Sequence, residues 1–404
     1  MLQSLAQVEK MWELSELNYR NKQHPDDFPE LPEIPAERFT REDFFQLEKE
    51  HVWKRTWLLA GIACELPSPG SFKAVSINDA PVLLARGEDG KIRAFYNTCQ
   101  HRGSMLAKGE GTAQHFACSY HCWTYDLEGN LKFIPDERLF PNLDKSRKSL
   151  KPIRCELFGA LIFINFDGDA SPLAEFLGSI LGVLQDMPLD NIKLYKKLQF
   201  EVPYNWKIVQ ENFSEAYHTK FIHPTSLEPF IQTKARAGHL LANGHAALAI
   251  KSRGSLTNLW ASDVDDKEGV LNELTRKSQR NCNIFPNITL SPAENIFPVL
   301  VAWPISIQRT RLDVYFLTMP SSDQVASEPG YEATVAGLEV VLGEDFSALE
   351  GIQEAISSGG IEAVRLGWEE QIIYHHHQQI DRLIGSENIP AGLAVQDITL
   401  PVGV

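Results

Sequence analysis

The chain has 404 residues, of which 43% are apolar and 23% charged; the length argues for two domains and the composition for a folded globular protein. A formal net charge of −15, with no dense Lys/Arg stripe, excludes nucleic acid and anionic membrane surfaces as expected partners. Six cysteines, at positions 64, 99, 118, 122, 155 and 282, are too few and too irregular for a secreted disulfide framework, so a clustered Cys/His set reads as metal-binding.

The first stretch, MLQSLAQVEKMWELSELNYR, is a charged helical start with neither an apolar signal core nor a membrane-length apolar span, which points to a cytoplasmic protein. A Pro-rich acidic connector, HPDDFPELPEIPAERF, leads into TREDFFQLEKEHVWKRTW, where Thr40 is expected to cap a helix with acids in its first turn. From Gly70 to about Phe166, short β-rich runs alternate with Gly, Asn and Asp turn signals, the pattern of a small antiparallel β domain. Beyond it, ASPLAEFLGSILGVLQDM reads as an amphipathic helix, LQFEVPYN as a strand and WKIVQENFSEAYHTKF as a helix. Strand-like runs recur from Asn283 to Met319, and a last helical region covers Glu362 to Ile384. The expected fold is α+β: an N-terminal arm over 1–45, an inserted β domain over 46–166 and a larger domain over 167–404.

The β domain contains two Cys/His pairs, Cys99-x-His101 and Cys118-x-x-His121. Two chemistries fit: a Cys2His2 zinc site, or a Rieske [2Fe-2S] cluster in which two cysteines hold one iron and two histidines the other. Zinc fingers usually group Cys with Cys and His with His. Mixed pairs are what two loops produce when each sends one residue to each iron. Gly103, Gly109 and Gly111 allow tight turns whose backbone N–H groups can bond cluster sulfurs.

NTCQHRG followed by CSYHCWTYDLEGNL resembles the Rieske domain of Rieske-type non-haem iron oxygenases, whose common form is close to NxCxHRG and CPYHGWxYxxxGxL. Cys122 stands where that family usually has Gly, and Ser119 where it has Pro. Cys122 is read as a packing or tuning residue rather than a ligand.

A second constellation lies in NWKIVQENFSEAYHTKFIHP. Glu215 and His218, three apart, would share a helix face, whereas His218 and His223 stand about 140° apart on an ideal helix. The two histidines converge only if the helix breaks between them, and Pro224 is consistent with such an end. Two histidines and a carboxylate on one face of Fe(II) make a facial triad with open positions for O2. The segment is similar to the family's E-N-x-x-[DE]-x-x-H-x(4)-H-P pattern, which covers Asn212, Glu215, His218 and His223. The usual residue at the Glu215 position is Asp; some members that attack quaternary amines have Glu.

The resemblance implies a third iron ligand, an Asp about eight residues before a Gln on a late helix. In GWEEQIIYHHHQQIDRLIG the best fit is Glu370, eight before Gln378, with Glu369 and Asp381 as alternatives. The run His375–His377 spreads over different helix faces and is expected to be solvated or inter-subunit.

The resemblance further implies a terminal oxygenase, its catalytic domain a central antiparallel sheet flanked by helices. Electrons from NAD(P)H reach it through a separate reductase, with or without a ferredoxin. They pass through the cluster to the mononuclear iron, which activates O2 to hydroxylate, dihydroxylate or demethylate a small aromatic or quaternary-amine substrate. It also implies a homotrimer in which Glu215 bridges His218 to His121 of the next subunit, and a role in aromatic hydrocarbon catabolism. No G-x-G-x-x-G fingerprint in a βαβ setting is present to bind NAD(P)H directly. Lys220, Phe221, Phe230, Lys234, Arg236, Trp260 and Phe297 are candidates for the substrate pocket by chain neighbourhood. The competing readings are a cluster-only electron-transfer protein and a zinc-stabilised binding module.

Overall fold

The computed structural model describes residues 5–25, 28–185, 187–254, 273–293, 296–318 and 328–400. The chain forms two compact units, residues 54–173 and residues 1–53 with 174–404, against expected boundaries at 46 and 166.

The N-terminal segment carries α1 (Leu5–Asn21), the short strand β1 (Ile34–Pro35) and α2 (Glu42–Leu47). Thr40 does not cap α2: Arg41 is the N-cap residue, and Thr40 closes a preceding 3-10 turn over Ala36–Phe39. The acids do fall in the first turn, where Asp43 Oδ1 accepts from Phe44 N at 2.8 Å. A π-helical turn, Glu48–Trp53, continues the helix.

The smaller unit contains β2 (Leu58–Ile62), β3 (Ser71–Ile77), β4 (Ala80–Arg86), β5 (Ile92–Tyr96), β6 (Glu110–Thr112), β7 (Phe116–Ala117), β8 (Thr124–Tyr125), β9 (Leu131–Phe133), β10 (Pro152–Phe158) and β11 (Leu161–Asn165). Among the described residues, β2-β11-β10-β5-β4-β3-β6 is one antiparallel sheet and β7-β8-β9 a second. The apolar runs of β2 and β11, at one end of the larger sheet, are buried along their whole length. The β5–β6 and β7–β8 connections carry the two Cys/His pairs.

After α3 (Leu173–Leu177) and α4 (Ile180–Val183), the larger unit builds an antiparallel sheet from β12 (Lys193–Val202), β13 (Ile231–Leu240), β14 (Ala246–Ser252), β15 (Ser278–Ile284), β16 (Ile288–Leu290), β17 (Ile296–Ser306) and β18 (Arg309–Thr318). Its order is β12-β18-β17-β16-β15-β14-β13 among the described residues. Helices α5 (Trp206–Asn212), α6 (Thr219–Ile222), α7 (Glu273–Lys277), α8 (Glu328–Ser357) and α9 (Gln371–Ile384) complete it, and β19 (Ala363–Val364) pairs with β1.

The period of two divides this sheet into two faces. Leu248, Ile250, Leu300 and Val314 join one core with Val335, Leu338 and Leu342 of α8. Ala235, Ala237 and Ala249 face the other way and pack on Val8 and Trp12 of α1, where Trp12 Nε1 donates to Ala249 O at 2.9 Å. The small side chains of that face let the helix lie close. The 30-residue α8 is absent from the sequence reading, because glycines at 330, 337, 343 and 351 interrupt its helical pattern.

Glu48 and Lys207 form a fully buried ion pair at 2.7 Å, and Trp206 Nε1 donates to the second Glu48 oxygen at 3.2 Å. Burial lowers the Lys207 pKa against the opposing pull of Glu48. Removing one partner strands a charge, so Lys207→Met is expected to cost about 3–5 kcal/mol, whereas the double variant Glu48→Leu/Lys207→Met recovers most of that loss. Urea unfolding followed by tryptophan fluorescence measures both.

Candidate metal centres and cavity

In the smaller unit, Cys99 and Cys118 are buried in one core with Trp123 and Tyr125. His101 stacks on Trp123 with ring centroids 4.8 Å apart, and His101 and His121 lie centroid to centroid at 4.7 Å. The four sequence-predicted residues therefore gather at two adjacent loop tips. Backbone N–H groups of His101, and of Tyr120 and His121, point at the Cys99 and Cys118 sulfurs respectively. His121 Nδ1 is buried with no hydrogen-bond partner, the condition of an atom reserved for a ligand. Burial, then the proximity of His121, lowers the His101 pKa and keeps the ring neutral. Two thiols, two neutral imidazoles and sulfur-directed N–H groups fit a [2Fe-2S] cluster.

Tyr125 is a residue that the sequence reading missed. Its hydroxyl accepts from Gln100 N at 2.9 Å and lies 3.4 Å from Cys99 Sγ, so its own proton is free to point at the sulfur. The signal was its place in the WTYDLEG motif, two residues after Trp123. Cys122 is exposed and left-handed at φ +54°, a backbone that Gly adopts without strain. Gly at that position in the family therefore reflects geometry, and Cys122 occupies it at a steric cost.

In the larger unit, the expected single helix is broken. Helix α5 ends at Asn212, a turn covers 213–218, and α6 has His218 at its N-cap and His223 at its C-cap. Glu215 and His218 thus meet through a turn rather than along a helix face. Glu215 Oε1 bonds His218 Nδ1, and its Oε2 accepts from Tyr217 N and His218 N. His223 Nδ1 lies 2.6 Å from Glu344 Oε2. Since ionised carboxylates only accept, in the neutral tautomer both Nδ1 atoms carry the proton and both Nε2 atoms are bare. The bare atoms turn to Asp345 on α8: Oδ1 is 2.9 Å from His223 Nε2 and 3.7 Å from His218 Nε2. Donor atoms of His218, His223 and Asp345 all lie within 4.8 Å of one another. Asp345 Oδ1 is buried without a hydrogen-bond partner. Two imidazole nitrogens and a carboxylate oxygen converging in this way fit a metal cation. Burial works to lower the His223 pKa, yet Asp345 and Glu344 outweigh it and raise it, so a metal at this position competes with a proton on Nε2.

Glu370, Glu369 and Asp381 do not join this group. Glu370 Oε2 accepts from Gly367 N at 2.7 Å, Glu369 is ion-paired with Arg236, and Asp381 with Arg38 at 2.7 Å. Burial raises both Glu369 and Glu370. The expected pattern, an Asp eight before a Gln, is met by Asp345 and Gln353 on α8, the helix that the sequence reading did not recognise.

His375–His377 are neither solvated nor placed as ligands. His375 Nε2 donates to Leu241 O at 2.8 Å and His376 Nε2 to Pro286 O at 2.9 Å. His377 accepts from Arg38 Nε at 3.0 Å through Nδ1 and donates to Glu211 Oε1 at 2.9 Å. Burial pushes Glu211 up to about 8. The three rings anchor α9 to three different elements.

A cavity of about 140 Å³ opens beside the His218–His223–Asp345 group. Asn212 lines it, with Nδ2 buried and unpartnered. Thr334, Leu338, Val341 and Asp345, spaced four, three and four residues apart, are one stripe of α8 along its wall. The remaining wall is mixed: aliphatic side chains, Leu227, Ile250, Ile296 and Leu300 included, alternate with polar ones such as Gln279, Asn281 and Ser291, and Phe213 is the single Phe, Tyr or Trp among the described residues. Arg280 borders the cavity, but its guanidinium donates to Thr275 Oγ1 and Val183 O, both at 2.7 Å, and its cross-strand partner is Ala249 of the α1 face.

None of the described pocket candidates lines the cavity. Phe221 and Phe230 are exposed, Phe297 is buried in β17, and Arg236 pairs with Glu369. Lys220 and Lys234 lie over the Tyr19 ring. Trp260 falls outside the described residues.

Comparison with known proteins identifies the family. The family described as "Ring hydroxylating alpha subunit (catalytic domain)" matches residues 189–386, and the Rieske [2Fe-2S] domain matches 56–144. The carnitine monooxygenase oxygenase subunit of Acinetobacter baumannii is 32% identical over 356 residues, 83% of this chain and 89% of that protein. The glycine betaine monooxygenase oxygenase subunit of Pseudomonas aeruginosa is 32% identical over 314 residues, 70% and 73% respectively. A solved quaternary ammonium Rieske monooxygenase shares the fold at a TM-score of 0.77 and 22% identity, over 90% of this chain and 99% of that one. Naphthalene 1,2-dioxygenase from Rhodococcus sp. does so at 0.76 and 18%, over 94% and 98%. The chain belongs to the Rieske-type non-haem iron oxygenases, as a catalytic alpha subunit carrying a [2Fe-2S] cluster and a mononuclear iron.

Proposed function

We propose that His218, His223 and Asp345 hold the mononuclear iron of this oxygenase, and that Cys99, His101, Cys118 and His121 hold its cluster. The observation that carries the reading is the convergence of two bare Nε2 atoms and a buried, unpartnered carboxylate oxygen. When bound, the two groups supply electron storage and an open-sided iron at which O2 is activated against a small organic molecule.

The chain's own residues do the rest. Glu215 and Glu344 fix the tautomers of the two histidines. The α8 stripe places the substrate wall and Asp345 on one rigid element, so the bond to be oxidised is held against the metal position. The apolar side chains of the wall, Leu227, Ile250, Leu300 and Leu338, limit water beside that position. Glu215, held by two backbone N–H groups as well as by His218, is the residue that would link the iron site to the cluster ligands of a neighbouring copy, and so would carry electrons between the two groups when they are bound. The assembly is a homotrimer in this reading. Large apolar side chains support it: Tyr217 and Phe221 are exposed beside Glu215, as are Met105 and Tyr120 beside the cluster loops.

A reductase supplies the electrons, and the enzyme works in a reducing cytoplasm, in keeping with six cysteines that form no disulfide. No helix among the described residues is long and apolar enough to cross a membrane. The two curated relatives support monooxygenation and a catabolic role other than aromatic hydrocarbon degradation.

Metal analysis tests the ligand set. Asp345→Ala is expected to drop from about three to about two irons per chain with the cluster spectrum intact, whereas Glu370→Ala keeps all three. Loss of the third iron in Glu370→Ala alone would refute the assignment.

Glu215→Gln is expected to retain both metals while turnover falls by about 100-fold or more. Single-turnover oxidation of the reduced cluster in the presence of substrate reads this directly; an unchanged rate removes Glu215 from the electron path.

A further inference from the structure

We infer that Glu344 is a positioning residue for the iron site, holding His223 as the donor that the metal requires; the inference rests on the proposed ligand set. His223 is 1% exposed, so its Nδ1 proton has no water to turn to, and the Glu344 carboxylate lies 2.6 Å away. Ser226 Oγ donates to the same Glu344 oxygen at 2.5 Å, which fixes the carboxylate in turn. The His223 backbone is held by its N–H to Thr219 O at 2.8 Å and by Glu228 N to its own carbonyl at 3.0 Å. Ring, partner and main chain are therefore all constrained.

Glu344 is 121 positions from His223 in sequence and adjacent to Asp345. One turn of α8 thus delivers a metal ligand and, from the next residue, the carboxylate that orients a different ligand. Without Glu344 the buried imidazole would have to leave its Nδ1–H unpaired or move that proton to Nε2 and cease to be a donor. Glu215 does the equivalent for His218 from within the same turn, three residues away. The two glutamates differ in duty: Glu215 is placed in the electron path as well, whereas Glu344 acts on metal retention alone.

The test uses full-length protein with its cluster loaded and its mononuclear iron removed by chelation, titrated with Co(II) and read by its d–d absorption. Glu344→Ala is expected to weaken Co(II) binding 10–100-fold and change the d–d spectrum, with cluster absorbance unaltered. Glu344→Gln, whose amide oxygen still accepts the Nδ1 proton, is expected to stay within about threefold of wild type, and Ser226→Ala to fall between the two. Wild-type affinity and spectrum in Glu344→Ala would overturn the inference. So would a Glu344→Gln protein as weak as Glu344→Ala, since charge rather than orientation would then be the cause. His223→Ala and Asp345→Ala are run in parallel. If they too bind Co(II) as wild type does, the ligand set itself is wrong and the inference falls with it.

Discussion

Two imidazoles present bare nitrogens to a cation only when something else holds their other protons. In this chain the two holders are glutamates, one within the histidine turn and one on α8. The break between α5 and α6 follows from that requirement. A continuous helix would splay His218 and His223 by about 140°, whereas the observed turn places them at the two ends of α6 with ring centroids 5.3 Å apart. The turn has a backbone cost, because the helix ladder is interrupted at 213–218. Glu215 offsets part of it by accepting the N–H groups of Tyr217 and His218 while it bonds the His218 ring.

The antiparallel sheet and α8 form the frame on which this geometry rests. Leu300 and Val314 pack toward α8, and Val335, Leu338 and Leu342 fill the space between. A shift of α8 by one residue would replace Asp345 with a neighbour and carry the wall of the cavity out of register at the same time. Gln353, two turns further along, ties the helix to the start of α5, its Oε1 accepting from Asn205 N at 2.9 Å. Asn205 in turn caps α5 by accepting from Lys207 N at 3.0 Å. The aspartate and the glutamine eight residues later are thus joined in purpose: one faces the metal position, and the other fixes the helix that presents it.

That coupling explains what could and could not be read from the sequence. The Cys/His pairs were legible because cluster ligands must sit on tight loops close in sequence, so the spacing itself carries the chemistry. His218 and His223 were legible for the same reason, through a short motif ending in Pro224. Asp345 was not, because a ligand delivered by a distant helix is recognisable only once that helix is known, and the glycines of α8 concealed it. Glu370 was attractive because Gln378 also stands eight residues downstream. Its helix, however, uses its polar residues to anchor itself: Asp381 on Arg38, His377 between Arg38 and Glu211, and Gln378 on Asp397 and Ile398. Spacing within a segment cannot distinguish a ligand from an anchor when both are buried and polar. The misplaced pocket candidates fail for a related reason, since nearness in sequence to His218 placed Lys220 and Phe221 on the outward side of a four-residue helix.

The cavity wall is where α8 carries specificity. Thr334, Leu338 and Val341 lie on the stripe that ends at Asp345, so side-chain volume at these positions sets how far a substrate penetrates toward the metal while the ligand stays in place. A quaternary ammonium group is usually held by several aromatic faces, and the described wall offers Phe213 alone. The described wall thus presents aliphatic, hydroxyl and amide groups together rather than an aromatic cage. The negative groups at its metal end, Asp345 and Glu215, are committed to the metal position and to His218, which leaves the mixed wall beyond them to meet the substrate.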